Sequence, residues 1–225
     1  MHLSNEENIK IDKYLELMVK KNEVMNLTAI TDEKEMKVKH VEDSLTVLEI
    51  LDELKPKSLV DVGTGAGLPG MIIKITRPEI EVLLIDSLNK RIKFLDEVIY
   101  ELELKGISTM HARAEEAARK NADSNEREKF DVAISRAVAR LNTLLEYNLP
   151  FVKLGGHMIA MKGPGADEEI GEAKKALEVL GGKLEKVKNL NLSNGDERNI
   201  VLIKKIKPTP QKYPRTGNKP KTNPL

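Results

Sequence analysis

The chain contains no cysteine and no tryptophan, and aromatic residues make up only 3% of its 225 positions. Without cysteine there are no disulfides and no thiolate metal ligands. Any reaction that needs a cysteine nucleophile is excluded too, including covalent attack on a pyrimidine ring to methylate its C5. The scarcity of aromatics argues against a base-stacking platform for single-stranded nucleic acid. An excess of one charge is also missing. The 37 Lys and Arg stand against 36 Asp and Glu, a net charge of +1, which by itself implies no polyanionic partner. No apolar run approaches the length of a membrane span, and the charged start of the chain (Glu6, Glu7, Lys10, Asp12, Lys13) holds no signal-peptide core. A cytoplasmic protein, with no membrane partner and no metal, is expected.

What the chain does have is a stretch that organises the rest: Leu59-Val60-Asp61-Val62-Gly63-Thr64-Gly65-Ala66-Gly67-Leu68-Pro69-Gly70. A short apolar run breaks into glycines at alternate positions, and a helix-like segment then continues to Ile75. This is the pattern of a buried parallel strand, a tight turn and a helix start. Glycine lets backbone approach a ligand closely, and the free N–H groups of a helix start supply donors and partial positive charge. The pattern favours a nucleotide-type cofactor over a ligand-free turn. Two registers remain open. Gly65-x-Gly67-x-x-Gly70 satisfies the dinucleotide fingerprint by letter but begins two residues after the strand. Asp61 followed by Gly63, Gly65 and Gly67 looks more like the cofactor loop of class I S-adenosylmethionine-dependent methyltransferases.

The remaining chain alternates strands and helices. Residues 5–25 read as an amphipathic helix. After a polar break, Thr31 or Asp32 caps a second helix running to Leu54, in which His40 and Asp43 form what reads as a solvated i,i+3 pair. The predicted strands are 58–62, 81–86, 107–111, 130–136 and 157–161, with helices near 69–75, 89–104, 141–149 and 166–180 and a polar loop at 121–129. Two further strands, 183–192 and 199–206, join through Ser193-Asn194-Gly195-Asp196 as a hairpin. Asp86 ends the second strand, 23 positions after Gly63, where a carboxylate can accept hydrogen bonds from ribose hydroxyls. Ala112–Glu116 and Arg136 also fall at strand carboxyl ends, where ligands of open α/β sheets gather. Three parts are expected: a helical extension over 1–57, an α/β domain over 58–207, and a basic, proline-rich tail over 208–225. The tail reads either as a disordered terminus or as an arm reaching phosphates, and its lack of acids tilts the reading to the arm.

Several segments together resemble one family, the bacterial small-subunit ribosomal RNA methyltransferase G, also called glucose-inhibited division protein B. They are Asn26-Leu27-Thr28-Ala29-Ile30, Lys39-His40-Val41-Glu42-Asp43-Ser44, the stretch from Val60 to Gly70, Arg113-Ala114-Glu115, Ser135-Arg136-Ala137, Lys162-Gly163 and Tyr213-Pro214-Arg215. Lys39 stands where an arginine is expected, and Glu42 where an apolar residue is expected. The resemblance implies a class I, Rossmann-like fold with about seven mostly parallel strands. It also implies methyl transfer from S-adenosylmethionine to N7 of a guanine in 16S ribosomal RNA, guanine 527 of the decoding-region loop. Cofactor contacts are implied at Gly63, Leu68, Ala114, Glu115 and Arg136, beside Gly65, Gly67 and Asp86 from the loop pattern. His40, Arg113, Lys162 and Arg198 are the candidates for holding RNA or the guanine, and no acid–base catalyst is expected. The partner is 16S ribosomal RNA or the small ribosomal subunit, and the protein is expected to be a monomer. The rival readings are methyl transfer to a small molecule or protein, a nicotinamide-dependent oxidoreductase, and a non-catalytic RNA-binding module.

Overall fold

Seven segments pair into one sheet: β1 (Ser58–Val62), β2 (Glu81–Asp86), β3 (Ile107–His111), β4 (Phe130–Arg136), β5 (Val152–Lys162), β6 (Gly182–Asn191) and β7 (Glu197–Lys205). The structure is a computed structural model that describes residues 3–30, 32–119 and 126–225. The strand order is β3-β2-β1-β4-β5-β7-β6. Strands β1 to β5 are parallel, and β7 runs antiparallel to both of its neighbours. The central strands are mostly apolar and buried because helices cover both their faces, whereas edge strand β3 is only partly buried. Neighbours on either side of β1 are entered by crossovers in opposite directions, which opens a crevice at the carboxyl ends of β1 and β4.

One face carries the N-terminal segment. Helix α1 (Asn5–Asn22) opens with a capping box between Ser4 and Glu7. Its Ile11, Tyr14, Leu15 and Met18 share one apolar core with Leu59 of β1, with Met71 and Ile72 of α5 (Gly70–Thr76) and with Leu95 of α6 (Asn89–Glu101). The core therefore runs without a break across the expected boundary at residue 57. The second helix is not continuous to Leu54 as predicted. Asp32 caps α2 (Glu33–Met36), accepting from Glu35 N at 2.9 Å, while Thr31 lies outside the described residues. The chain then widens into a π-helical turn, Lys37–Glu42, before α3 (Asp43–Leu45) and α4 (Leu48–Leu54). Such turns accommodate one extra residue per turn and re-aim side chains.

The other face holds α7 (Ala114–Ala117), α8 (Leu141–Asn148), α9 (Ala166–Glu172) and α10 (Lys174–Leu180). The predicted single helix over 166–180 is interrupted at Ala173. Strand β5 begins at Val152 rather than His157, so it takes in Leu154-Gly155-Gly156 as well. An irregularity in its register with β4 absorbs the extra residues. Of the predicted polar loop, residues 121–125 lie outside the described residues.

The tail is neither disordered nor a free arm. Tyr213 and Thr209 are buried, and Arg127 donates to the carbonyls of Tyr213 (2.8 Å) and Thr209 (2.6 Å). Arg215 forks onto the buried Glu146 of α8, with Nη2–Oε2 at 2.6 Å and Nε–Oε1 at 2.9 Å. Lys205, fully buried, donates to Thr209 Oγ1 and to the Leu149 carbonyl, both at 2.7 Å. Burial lowers its ammonium pKa to about 8 against the pull of Glu128. The acid-free tail thus finds its counter-charge on α8, and a short helix α11 (Lys219–Thr222) completes the packing. Among the described residues no helix is long and apolar enough to cross a membrane, and no three His, Asp or Glu side chains gather as a metal site.

Candidate active site

A cleft of about 490 Å³ opens where β1, β2 and β4 end. Its floor is the glycine loop. Gly63, Gly65 and Gly67 all have positive φ, but they do different things. A Cβ on Gly65 would meet nothing within 4 Å, so this position presents bare backbone to open space. A Cβ on Gly67 would lie 2.7 Å from Leu95 Cδ2 and 2.9 Å from Tyr14 Oη. Gly63 and Gly65 line the cleft; Gly67 does not, and serves close packing beneath it. Gly70 is equally crowded, with Leu84 Cδ2 2.4 Å from a would-be Cβ. The dinucleotide register thus puts two of its three glycines, Gly67 and Gly70, in packing rather than at the cleft.

Helix α5 does not offer its first N–H to a ligand, contrary to expectation. Asp61 of β1 takes it: Oδ2 accepts from Gly70 N at 2.9 Å and from Thr64 Oγ1 at 2.7 Å. Asp61 is wholly buried with Oδ1 unpartnered, and desolvation raises its pKa to about 6.

Asp86 sits at the wall, its carboxylate accepting from Gly65 N (2.9 Å), Leu88 N (2.9 Å) and Arg91 Nη1 (3.1 Å). A carboxylate offers about four acceptor positions, so one is left for a ligand hydroxyl. Leu68, Ala114, the buried Glu115 and Arg136 also line the cleft. Arg91, Ser87 and Tyr147 line it as well. Sequence reading missed these three, and for Arg91 the signal was its position one helical turn past the Asp86 strand end.

His40 and Asp43 are not a solvated pair. Both are buried, His40 within the π-helical turn and Asp43 directly after it at the start of α3. Asp43 bridges two arginines, Oδ2 to Arg136 Nη1 and Oδ1 to Arg198 Nε, each at 3.1 Å. Arg136 also donates to the Lys39 carbonyl at 2.8 Å. That contact is to backbone, so lysine in place of the expected arginine at position 39 leaves it intact. Glu42, the other departure, accepts from Ser193 N at 2.7 Å and Ser193 Oγ at 2.5 Å, tying the hairpin turn to the N-terminal segment. His40 lines the cleft with Nε2 3.0 Å from Thr28 Oγ1 and Nδ1 unpartnered. Burial and the Arg136 charge lower its pKa, so the imidazole is neutral at pH 7.

Of the remaining RNA candidates, Arg113 stands at the cleft with its side chain 54% exposed. Lys162 and Arg198 are outside the lining. Lys162 is consumed by the Ala139 carbonyl (2.6 Å) and Glu169 (2.7 Å), and Arg198 by Asp43. Ala137, directly after Arg136, has φ +55°, a strained value for a residue with a Cβ. It bends the chain so that Ala137 and Val138 still line the cleft.

A sequence model described as rRNA small subunit methyltransferase G matches residues 7–201. The ribosomal RNA small subunit methyltransferase G of Acetivibrio thermocellus is 51% identical to this chain, covering 100% of it and 91% of the relative. That of Lachnoclostridium phytofermentans is 50% identical, covering 100% and 92%. Among solved structures, a SAM dependent methyltransferase from Aquifex aeolicus aligns with TM-score 0.53 at 19% identity, covering 78% of this chain and 94% of that one. TrmN from Thermus thermophilus aligns with TM-score 0.54 at 15% identity, covering 72% and 49%. At such identity these two likenesses speak for the fold alone.

Proposed function

The chain belongs to the rRNA small subunit methyltransferase G family, and from that premise we propose that it methylates N7 of one guanine in 16S ribosomal RNA. It is an S-adenosylmethionine-dependent methyltransferase. The observation that carries the reading is identity of about one half over the whole chain, together with a cleft built on the bare backbone of Gly65 and on Asp86. The cleft suits the cofactor: its volume, the open face at Gly65 and the spare acceptor on Asp86 fit an adenosyl group. Gly63, Gly65, Leu68, Asp86, Ala114, Glu115 and Arg136 are the residues that would hold it. Gly67 supports them from beneath.

When bound, S-adenosylmethionine supplies an electrophilic methyl group on a sulfonium. Guanine N7 is an unprotonated lone pair, so the protein has no proton to remove. That agrees with a cleft whose one imidazole is neutral and shielded. What remains for the residues is to hold the two reactants in line and to keep the field favourable. The methylated base is cationic, and a bare arginine beside it would oppose its formation. Asp43 offsets Arg136 here, while Asp86 and Glu115 offset Arg91 and Arg113. Arg113, exposed at the cleft, is the cation placed to meet an RNA phosphate.

Methyl transfer from labelled S-adenosylmethionine to small subunits lacking the modification, with the labelled atom mapped, tests the proposal. Label at a single guanine N7 is expected. Label at another ring atom, or only in protein or small molecules, would overturn it.

A further inference from the structure

The N-terminal helix reaches the glycine loop through one side chain. Tyr14 of α1 is completely buried, and its hydroxyl donates to the Ala66 carbonyl at 2.5 Å, across 52 residues of sequence. Ala66 itself lines the cleft. The other polar contacts of this turn are local or come from strand ends. Gly63 N and Thr64 N donate to the Ile85 carbonyl, Gly67 N and Leu68 N both donate to the Thr64 carbonyl, and Gly65 N donates to Asp86. The phenol therefore supplies the contact that ties the crest of the loop to the N-terminal segment.

The third glycine of the motif makes sense in the same light. A Cβ on Gly67 would lie 2.9 Å from the phenol oxygen, so glycine is needed there for the ring to reach Ala66. Burial raises the Tyr14 pKa far out of the physiological range, which keeps the hydroxyl a donor at every working pH.

We propose that Tyr14 is a positioning residue of the cofactor site, holding the Ala66 peptide in the orientation that cofactor binding requires. The N-terminal helix is thereby part of the binding machinery and more than a cover for the sheet. The proposal rests on the reading of the cleft as an S-adenosylmethionine site. Without the hydroxyl, the Ala66 carbonyl is left buried and unpartnered. The peptide then relaxes toward orientations that satisfy it in the cleft. A ligand that needs the original orientation binds more weakly in proportion to the fraction of molecules that retain it.

The test uses the full chain and Tyr14→Phe, with Met18→Ala as control. Met18 is buried one turn along the same helix, and its truncation lowers thermal stability while leaving the Tyr14 hydroxyl and its bond to Ala66 in place. Binding of S-adenosylmethionine by calorimetry should weaken about tenfold in Tyr14→Phe and stay within twofold in Met18→Ala, both measured well below their melting temperatures. Amide exchange of the ligand-free protein should quicken at residues 63–69 in Tyr14→Phe alone. In turnover, the apparent KM for cofactor should rise while the KM for RNA holds. Unchanged affinity and unchanged loop exchange in Tyr14→Phe would overturn the proposal, as would an equal loss of affinity in the control. If the wild-type protein failed to bind S-adenosylmethionine, the reading of the site would fall. The loop exchange would still decide whether Tyr14 holds the turn.

Discussion

Replacing Glu146 by glutamine tests whether the tail is a docked element or an arm. Glu146 is wholly buried and accepts from Arg215 N at 2.7 Å as well as from the guanidinium. Glutamine keeps one carbonyl acceptor but sets an NH2 group against the guanidinium and removes the charge. Loss of charge-assisted bonds of this kind costs about 1.5–3 kcal/mol. A fully stranded buried charge costs more, but Arg215 is 21% exposed and can turn to water. An overall cost of ~2 kcal/mol follows, equivalent to about a 30-fold rise in the population with the tail undocked. Trypsin reads that population directly, because cleavage after Lys212 requires the buried Tyr213 to leave its site. Under conditions where docking and undocking outpace cleavage, the rate at Lys212 should rise by about the same 30-fold. If docking is part of the global unfolding unit, the melting temperature should fall by about 4–8 °C. A Glu146→Gln protein with wild-type cleavage at Lys212 and wild-type melting would refute the reasoning, and the arm reading would return.

Two further outcomes follow from the buried charges. Asp61 binds its proton more tightly in the folded chain (pKa about 6) than as an ordinary aspartate in the unfolded one (3.8). It therefore favours folding below about pH 4, and that stabilisation is lost as pH rises through 6, on the order of 3 kcal/mol. Asp61→Asn mimics the protonated form, so its stability relative to wild type should improve between pH 4.5 and 7. Parallel stability curves in urea would show that Asp61 does not titrate as described. Asp43 joins Arg136 to Arg198, so a double-mutant cycle between Asp43→Asn and Arg198→Gln should return a coupling of about 1–3 kcal/mol. A coupling near zero would mean that the bridge adds nothing to stability.

The Asp61–Gly70 stretch, the strand–helix alternation and the hairpin at Gly195 could all be read from the sequence because they are local. Their signals are apolar period, turn glycine and strand length, each contained in a dozen residues. The strand ends at Asp86 and Arg136 marked the cleft for the same reason, since parallel sheets gather ligands at carboxyl ends. Tertiary structure alone decided the rest. Tyr14 meets Ala66 across 52 residues, Glu146 meets Arg215 across 69, and Asp43 meets Arg136 across 93 and Arg198 across 155. No local pattern announces such a partner. Lys162 and Arg198 look like free cations in the sequence, and only the packed chain shows that Glu169 and the buried Asp43 have claimed them. A charge in a sequence has no fixed role until folding decides whether water, a carboxylate or a ligand will solvate it.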